Sequence, residues 1–247
     1  MKKIIFVLIL ISISFLQCTK DAASLKYSAP TGQGGSLARF AIVGNYLYTV
    51  DAQKLSIYDV VNPAEPLLKN TVNIGFEIET IFPFKDKLFI GSTSVVHIFS
   101  ISDPANPQKL SQAISPDVLR RCDPVVAKDT VAFATLRTNG PCGGIQSILA
   151  VYDIKDITKP VQKASYPVSQ PYGLGYQDNV LYVCDTSGLM IFDITKAYQP
   201  VLLKTIKDGD YVDVIPYQGT LICWINGGVL MYDITNNKSP ILLAKIL

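Results

Sequence analysis

The sequence predicts an all-β fold, a five-bladed β-propeller with four antiparallel strands per blade, and three observations carry that prediction. The first is a cassette met five times: Ile57-Tyr58-Asp59 with Pro66, Ile98-Phe99-Ser100 with Pro107, Val151-Tyr152-Asp153 with Pro160, Ile191-Phe192-Asp193 with Pro200, and Met231-Tyr232-Asp233 with Pro240. Its Asp-type positions are 41, 53, 40 and 40 residues apart, and self-similarity at such a period marks a repeat architecture. The second is that strand-forming runs broken by Gly, Asn, Asp and Pro recur inside each copy, as antiparallel hairpins require. The third is the absence of a helical apolar period of useful length after the amino-terminal segment. A sheet of one copy is apolar on both faces, as in Leu88-Phe89-Ile90 and Val95-Val96-His97-Ile98-Phe99. It cannot bury both alone, and radial stacking of such sheets covers them. A two-sheet sandwich needs no fixed register, and a β-solenoid repeats at shorter intervals.

The chain begins with Lys2 and Lys3, followed by an apolar run from Ile4 to Leu16 and then Gln17-Cys18. That run is short of the roughly 20 residues needed to span a bilayer, and basic residues before a short apolar stretch describe a secretory signal. Cysteine directly after it, followed by Thr19-Lys20-Asp21, resembles the lipobox of bacterial lipoproteins, in which the cysteine is acylated and becomes the first mature residue. Gln17 departs from the usual small residue there, as in the looser lipoboxes of some spirochaete lipoproteins. The expected organisation is therefore a signal peptide over 1–17, a lipidated Cys18 with a flexible tether over 18–35, and a single propeller domain over 36–247. The tether reading rests on Ser28-Ala29-Pro30-Thr31-Gly32-Gln33-Gly34-Gly35.

Within the propeller, the last copy is the easiest to divide. Val212 to Tyr217, Leu221 to Ile225, Val229 to Asp233 and Ile241 to Ile246 are its expected strands, with turns at Gln218-Gly219 and Asn226-Gly227-Gly228. Gly44-Asn45, Lys85-Asp86, Lys128-Asp129 and Gln177-Asp178-Asn179 occupy the place of the first of these turns in the other copies. Between third and fourth strands lie Asn62-Pro63-Ala64-Glu65-Pro66 and Asp103-Pro104-Ala105-Asn106-Pro107. Proline has no amide hydrogen and a fixed φ, so it ends the ladder and presets the turn. The Asp before it is read as an acceptor for turn amides. The first copy has its own first strand and the last its own fourth, so closure is expected by packing of blade five on blade one without strand exchange.

The formal charge of +2 falls to near 0 once Lys2 and Lys3 leave with the signal. Nothing then steers the protein to nucleic acid, and no polybasic run marks a headgroup-binding surface. Of the five cysteines, Cys122 and Cys142 bracket the lengthened third repeat, where an exported protein can bridge them. Cys184 and Cys223 lie in apolar strand runs, one position out of register, and are read as buried free thiols on opposite strand faces.

The pattern of aromatic strand, Gly, apolar-apolar-apolar-Asp, then Asn-Pro and Pro resembles the LVIVD repeat of bacterial exported proteins. Leu181 to Ile194 and Leu230-Met231-Tyr232-Asp233-Ile234-Thr235 carry the nearest matches, and Arg121-Cys122-Asp123-Pro124-Val125-Val126 with Thr135-Leu136-Arg137 and Cys142-Gly143-Gly144 looks like a segment of such lipoproteins. The resemblance implies a β-propeller on an exported lipoprotein and carries no assigned reaction. Copy two departs from it with Ser100 in place of the Asp.

Catalytic constellations are scarce. The one histidine, His97, lies in an apolar strand and reads as a satisfied core or interface histidine rather than a ligand or base. With no Cys-x-x-Cys, no His-Glu-x-x-His, no Gly-x-Ser-x-Gly and no phosphate loop, neither a metal nor a cofactor is expected. The best candidate binding face is the channel mouth ringed by the starts of the first strands: Arg39, Glu77, Arg120, Arg121, Asp123, Tyr172, Asp210, Tyr211 and Asp213. The paired carboxylates Glu77 with Glu79, or Asp210 with Asp213, are of a kind that coordinates Ca²⁺ or serves acid–base chemistry. Neither pair recurs in another copy, which argues against a blade-by-blade metal site and leaves only a single one open. The leading expectation is a monomeric, lipid-anchored, non-catalytic propeller of the bacterial outer membrane or cell surface, with the periplasmic face as the alternative side, that binds or scaffolds a protein or glycan. The alternative is a hydrolase- or lyase-type enzyme using Asp213, Asp123 and Arg39 at that mouth; a third reading is a purely structural envelope protein.

A Cys122–Cys142 bridge would close a loop of about twenty residues and stabilise the fold by roughly 3 kcal/mol. Intact masses of the alkylated protein with and without prior reduction will then differ by two alkyl groups. Equal masses remove the bridge.

Overall fold

The computed structural model describes residues 34–93, 95–114, 124–138 and 146–247. Among them are twenty strands, in five sheets of four consecutive antiparallel strands, and no helix. Blade one comprises β1 (Phe40–Val43), β2 (Tyr46–Val50), β3 (Lys54–Asp59) and β4 (Leu67–Asn73), and blade two β5 (Ile78–Phe84), β6 (Lys87–Ser92), β7 (Val96–Ser100) and β8 (Gln108–Ala113). Blade three comprises β9 (Val125–Lys128), β10 (Val131–Leu136), β11 (Ile148–Asp153) and β12 (Val161–Pro167). Blade four follows with β13 (Pro171–Gln177), β14 (Val180–Asp185), β15 (Gly188–Asp193) and β16 (Val201–Ile206), and blade five with β17 (Tyr211–Tyr217), β18 (Thr220–Ile225), β19 (Gly228–Asp233) and β20 (Ile241–Ile246). The expected strands of the last copy hold to within one residue. The small extensions arise because pairing runs up to the turns, Tyr217 opposite Thr220 and Ile225 opposite Gly228.

The repeated residues act through the backbone. In every first hairpin turn the equivalent residue is left-handed: Gly44, Lys85, Asp129, Asp178 and Gln218, with φ between 47° and 59°. This conformation twists two-residue hairpins in the sense their strands need. Each cassette Asp accepts the amide of the residue two ahead: Asp59 from Val61 at 3.0 Å, Asp153 from Lys155 at 3.0 Å, Asp193 from Thr195 at 2.8 Å and Asp233 from Thr235 at 2.7 Å. Ser100 does the same with its hydroxyl, from Ser102 at 3.3 Å, so the departure in copy two keeps the turn. Immediately before the cassette aromatic, all five blades bulge against their fourth strands, between Ile57/Tyr58, Ile98/Phe99, Val151/Tyr152, Ile191/Phe192 and Met231/Tyr232. A bulge at a sheet's edge strengthens twist.

The blades pack through successive apolar layers. Tyr48, Leu55 and Ile57 of blade one meet Ile81, Leu88 and Ile90 of blade two, and Phe89 and Ile98 meet Ala132 and Ala134. Phe133 and Val151 then meet Leu181 and Val183, and Tyr182 and Ile191 meet Leu221 and Leu230. Tyrosine hydroxyls staple two of these layers, Tyr48 to the Pro104 carbonyl at 2.9 Å and Tyr182 to the Asn237 carbonyl at 2.7 Å. Cys184 and Cys223 are free and buried as expected, and share the layer between blades four and five. Opposite faces of successive blades point into one layer.

The expected packing of blade five on blade one is absent in this form: strands are not exchanged, but no apolar cluster among the described residues joins these two blades. Phe40 and Ile42 on blade one and Tyr217 and Trp224 on blade five are exposed, and Ile222, Val229 and Met231 are half-buried. The outer strand β20 is exposed along its whole length. His97 is buried in blade two, where burial depresses its pKa to about 4, so it is neutral. It is not a fully satisfied core histidine, since Nδ1 has no hydrogen-bond partner among the described residues.

These layers predict a contrast. Leu181→Ala, between blades three and four, will cost about 2–5 kcal/mol, whereas Ile241→Ala, 66% exposed, will stay within about 0.5 kcal/mol of the parent. Denaturant unfolding measures both, and equal losses would contradict the layer assignment.

Candidate functional site

The starts of the first strands and the links between second and third strands lie at one end of the axis. Here blade three is lengthened: residues 137–147 join β10 to β11, where 186–187 and 226–227 suffice in blades four and five. Arg137, at the head of that link, stacks on the ring of Tyr172 from blade four, its guanidinium carbon 4.6 Å from the ring centroid. The backbone beneath is fixed by Thr135, whose hydroxyl donates to the Tyr172 carbonyl at 2.6 Å. Beside them is Glu79 of β5. Its half-burial raises its pKa, while the positive charges of Arg137 and Arg39 oppose that rise and Glu77 adds to it. Neither arginine has a carboxylate oxygen within 4.0 Å among the described residues. Arg137 Nε is buried and has no hydrogen-bond partner among the described residues. The rim thus carries two guanidinium groups from blades one and three around one carboxylate of blade two.

Of the residues predicted for this face, Arg39, Glu77 and Asp210 are exposed on the rim and Tyr172 is half-buried under Arg137. Glu77, itself left-handed at φ 58°, receives a hydrogen bond from the Thr93 hydroxyl. Arg120, Arg121 and Asp123 lie outside the described residues, as do Cys18, Cys122 and Cys142. Two predicted residues are not on the face. Tyr211 is buried in the layer between blades four and five, its hydroxyl 2.6 Å from that of Tyr232, and both hydroxyls donate to Asp208. Asp213 is also buried, and its role is structural.

Asp213 closes the ring. Its carboxylate accepts from the Ser36 hydroxyl at 3.2 Å and the Leu37 amide at 3.2 Å, both just ahead of blade one, and from its own neighbour Val214 at 2.9 Å. Ser36 in turn accepts the Leu174 amide of blade four at 2.7 Å. A Cβ on Gly35 or Gly173 would lie 2.1 Å or 2.0 Å from an Asp213 oxygen, so the carboxylate needs glycine on both sides. Blade one is therefore tied to blades four and five at the axis by a polar lock. Asp213 and Gly173 are one 40-residue period apart and so occupy equivalent sites in successive repeats, a spacing that does not show that one fits against the other. Arg137 was also missed as a rim residue; its signal was a cation ending an otherwise apolar second strand. Among the described residues, no cluster of His, Cys, Asp and Glu is placed to hold a metal.

The LVIVD repeat profile matches residues 34–74, which span blade one. No curated protein matches the chain. Among solved structures, a protein from Lactobacillus plantarum superposes with a TM-score of 0.66 at 15% identity, over 81% of this chain and 67% of that one. The periplasmic gluconolactonase PpgL of Pseudomonas aeruginosa gives 0.62 at 10% identity, over 82% of this chain and 67% of that one. Citrobacter koseri AztD gives 0.58 at 14% identity, over 81% of this chain and 58% of that one. At these identities the likeness establishes the propeller fold, and the chain spans only 58% to 67% of the length of these three structures.

Burial raises the pKa of Asp213 from 3.8 to about 6, against the pull of its hydrogen-bond donors. The folded state thus holds this proton more tightly than the unfolded chain. Its stabilising contribution is complete below about pH 4 and is lost as pH rises through 6, by up to about 3 kcal/mol. Relative to an Asp213→Asn variant, the parent will lose stability between pH 4 and pH 7. A parent–variant difference in unfolding free energy that does not change over that range contradicts the assignment.

Proposed function

We propose that the protein is a lipid-anchored, non-catalytic binding propeller of the bacterial envelope, and that its charged rim engages a protein or glycan partner. The observation that carries this reading is the state of Arg137. Its guanidinium carbon lies 4.6 Å from the centroid of the Tyr172 ring, and among the described residues its buried Nε lacks an acceptor and no carboxylate is within ion-pair distance. A buried donor without an acceptor is costly, and an incoming carbonyl or carboxylate oxygen relieves that cost. Arg39, whose charge also acts on Glu79, brings a second guanidinium to the rim, a group suited to planar acceptors. Attachment is assigned to Cys18, on the resemblance of Phe15-Leu16-Gln17-Cys18 to a lipobox. A Cys122–Cys142 bridge would tie together the two ends of the lengthened third repeat.

The hydrolase or lyase reading drew on Asp213, whose oxygens are engaged in the ring lock. Of its other named groups, Arg39 is exposed on the rim and Asp123 lies outside the described residues. A purely structural envelope role is favoured by one observation, the closure of the axis by Ser36 and Asp213, and the same experiment separates it from binding.

Cys18→Ser will move the protein from the membrane to the soluble fraction; unchanged partitioning sinks the anchor. The soluble Cys18→Ser protein will co-sediment with isolated envelope fragments, less so at high salt. Adding Arg39→Ala and Arg137→Ala will weaken that association about tenfold. Co-sedimentation indifferent to both arginines removes the rim from the binding reading, and none at all favours the structural one.

A further inference from the structure

A cavity of about 380 Å³ lies at the opposite end of the axis from Arg39 and Arg137. Its walls come from the ends of first strands: Phe82, Pro83 and Phe84 of β5, Tyr176 of β13, and Ile215 and Pro216 of β17. First strands are the inner edges of their sheets, where proline breaks no ladder. Two prolines therefore sit in the wall without disturbing pairing. Ser36 contributes to the inner end of the cavity, but its hydroxyl is committed, donating to Asp213 at 3.2 Å and accepting from Leu174 at 2.7 Å. The lock that ties the ring thus also floors the cavity.

One cation stands at the cavity's edge. Lys85 lies in the first hairpin turn of blade two, with Nζ 5.0 Å from the centroid of the Phe84 ring. The carboxylates beside it have closer partners, although Asp129 also feels the Lys85 charge. Asp86 pairs with Lys87 at 2.6 Å, and Asp129, in the neighbouring blade's turn, pairs with Lys128 at 2.6 Å. No carboxylate oxygen among the described residues comes within 4.0 Å of Lys85 Nζ. A concave space lined by apolar and aromatic side chains, with a few placed polar groups, is the usual form of a small-molecule site.

We infer that this cavity is a second binding site, for a small carboxylate with a ring-bearing apolar body. The ring system lies between Phe82, Phe84, Tyr176 and the two prolines, and the carboxylate meets Lys85 at the rim. The site is separate from the charged rim and does not depend on what binds there.

Calorimetric titration of the purified protein with naphthalene-1-carboxylate, and in parallel with neutral naphthalene-1-carboxamide, tests this. Saturable one-to-one binding of the acid is expected, with the amide about three- to fivefold weaker, as a solvent-accessible ion pair allows. Lys85→Gln will abolish the preference for the acid while leaving the amide's affinity in place. Ile215→Trp, which fills the cavity from β17, will abolish binding of both ligands with the circular dichroism spectrum unchanged. Should that variant not fold, the acid–amide comparison in the Lys85→Gln protein decides alone. Failure of either ligand to saturate overturns the site, as does an acid preference that survives Lys85→Gln. Binding that persists in folded Ile215→Trp places the ligand on the exposed faces of blades one and five and overturns it as well.

Discussion

Each of these four-stranded sheets is apolar on both faces, and an apolar face gains stability only when another surface covers it. The rest of the molecule follows from that. Successive copies must present matching faces, so the strands keep their register and the cassette keeps its period. Extra length is admitted only where no face is interrupted, as in the link between β10 and β11. Leu181 and Tyr182 show both faces at work, neighbours in sequence that serve the layers toward blade three and blade five respectively.

The layers do not complete the circle by themselves. Where blade five faces blade one, the repeated pattern persists in sequence without mutual burial, and the connection passes to three polar groups at the axis: the Ser36 hydroxyl, the Leu37 amide and the Asp213 carboxylate. A burial-weakened acid is an unusual fastener. It works because glycines on two sides let backbone donors reach it, and backbone amides hold a buried carboxylate better than water-exposed side chains do.

Much of the fold was legible because its causes are local and repeated. The cassette Asp makes its bond two residues along the chain, and the first hairpin turns depend on one left-handed residue each, so both kinds of feature are written in contiguous sequence. The rim was legible only in part. Arg39, Glu77, Tyr172 and Asp210 could be placed from strand starts, but Tyr211 and Asp213 share that position in the repeat and turn inward. Their fate is decided by Asp208, Tyr232 and Ser36, and the last is 177 residues from Asp213. No spacing rule connects such residues. Arg137 escaped notice for a similar reason, since its partner ring belongs to another blade. The cavity at the far end was hidden because Phe-Pro-Phe in β5 and Pro216 in β17 read as ordinary strand ends until the first strands are arranged around one axis.

The chain contains a single tryptophan, and it is Trp224, on the face of blade five that lacks a neighbour, with 56% of its surface exposed. The one indole in the molecule is thus a reporter placed by the fold itself. Its emission wavelength and its quenching by small solutes register whether the gap between the last blade and the first is wet or closed, without a label and without contribution from any other site.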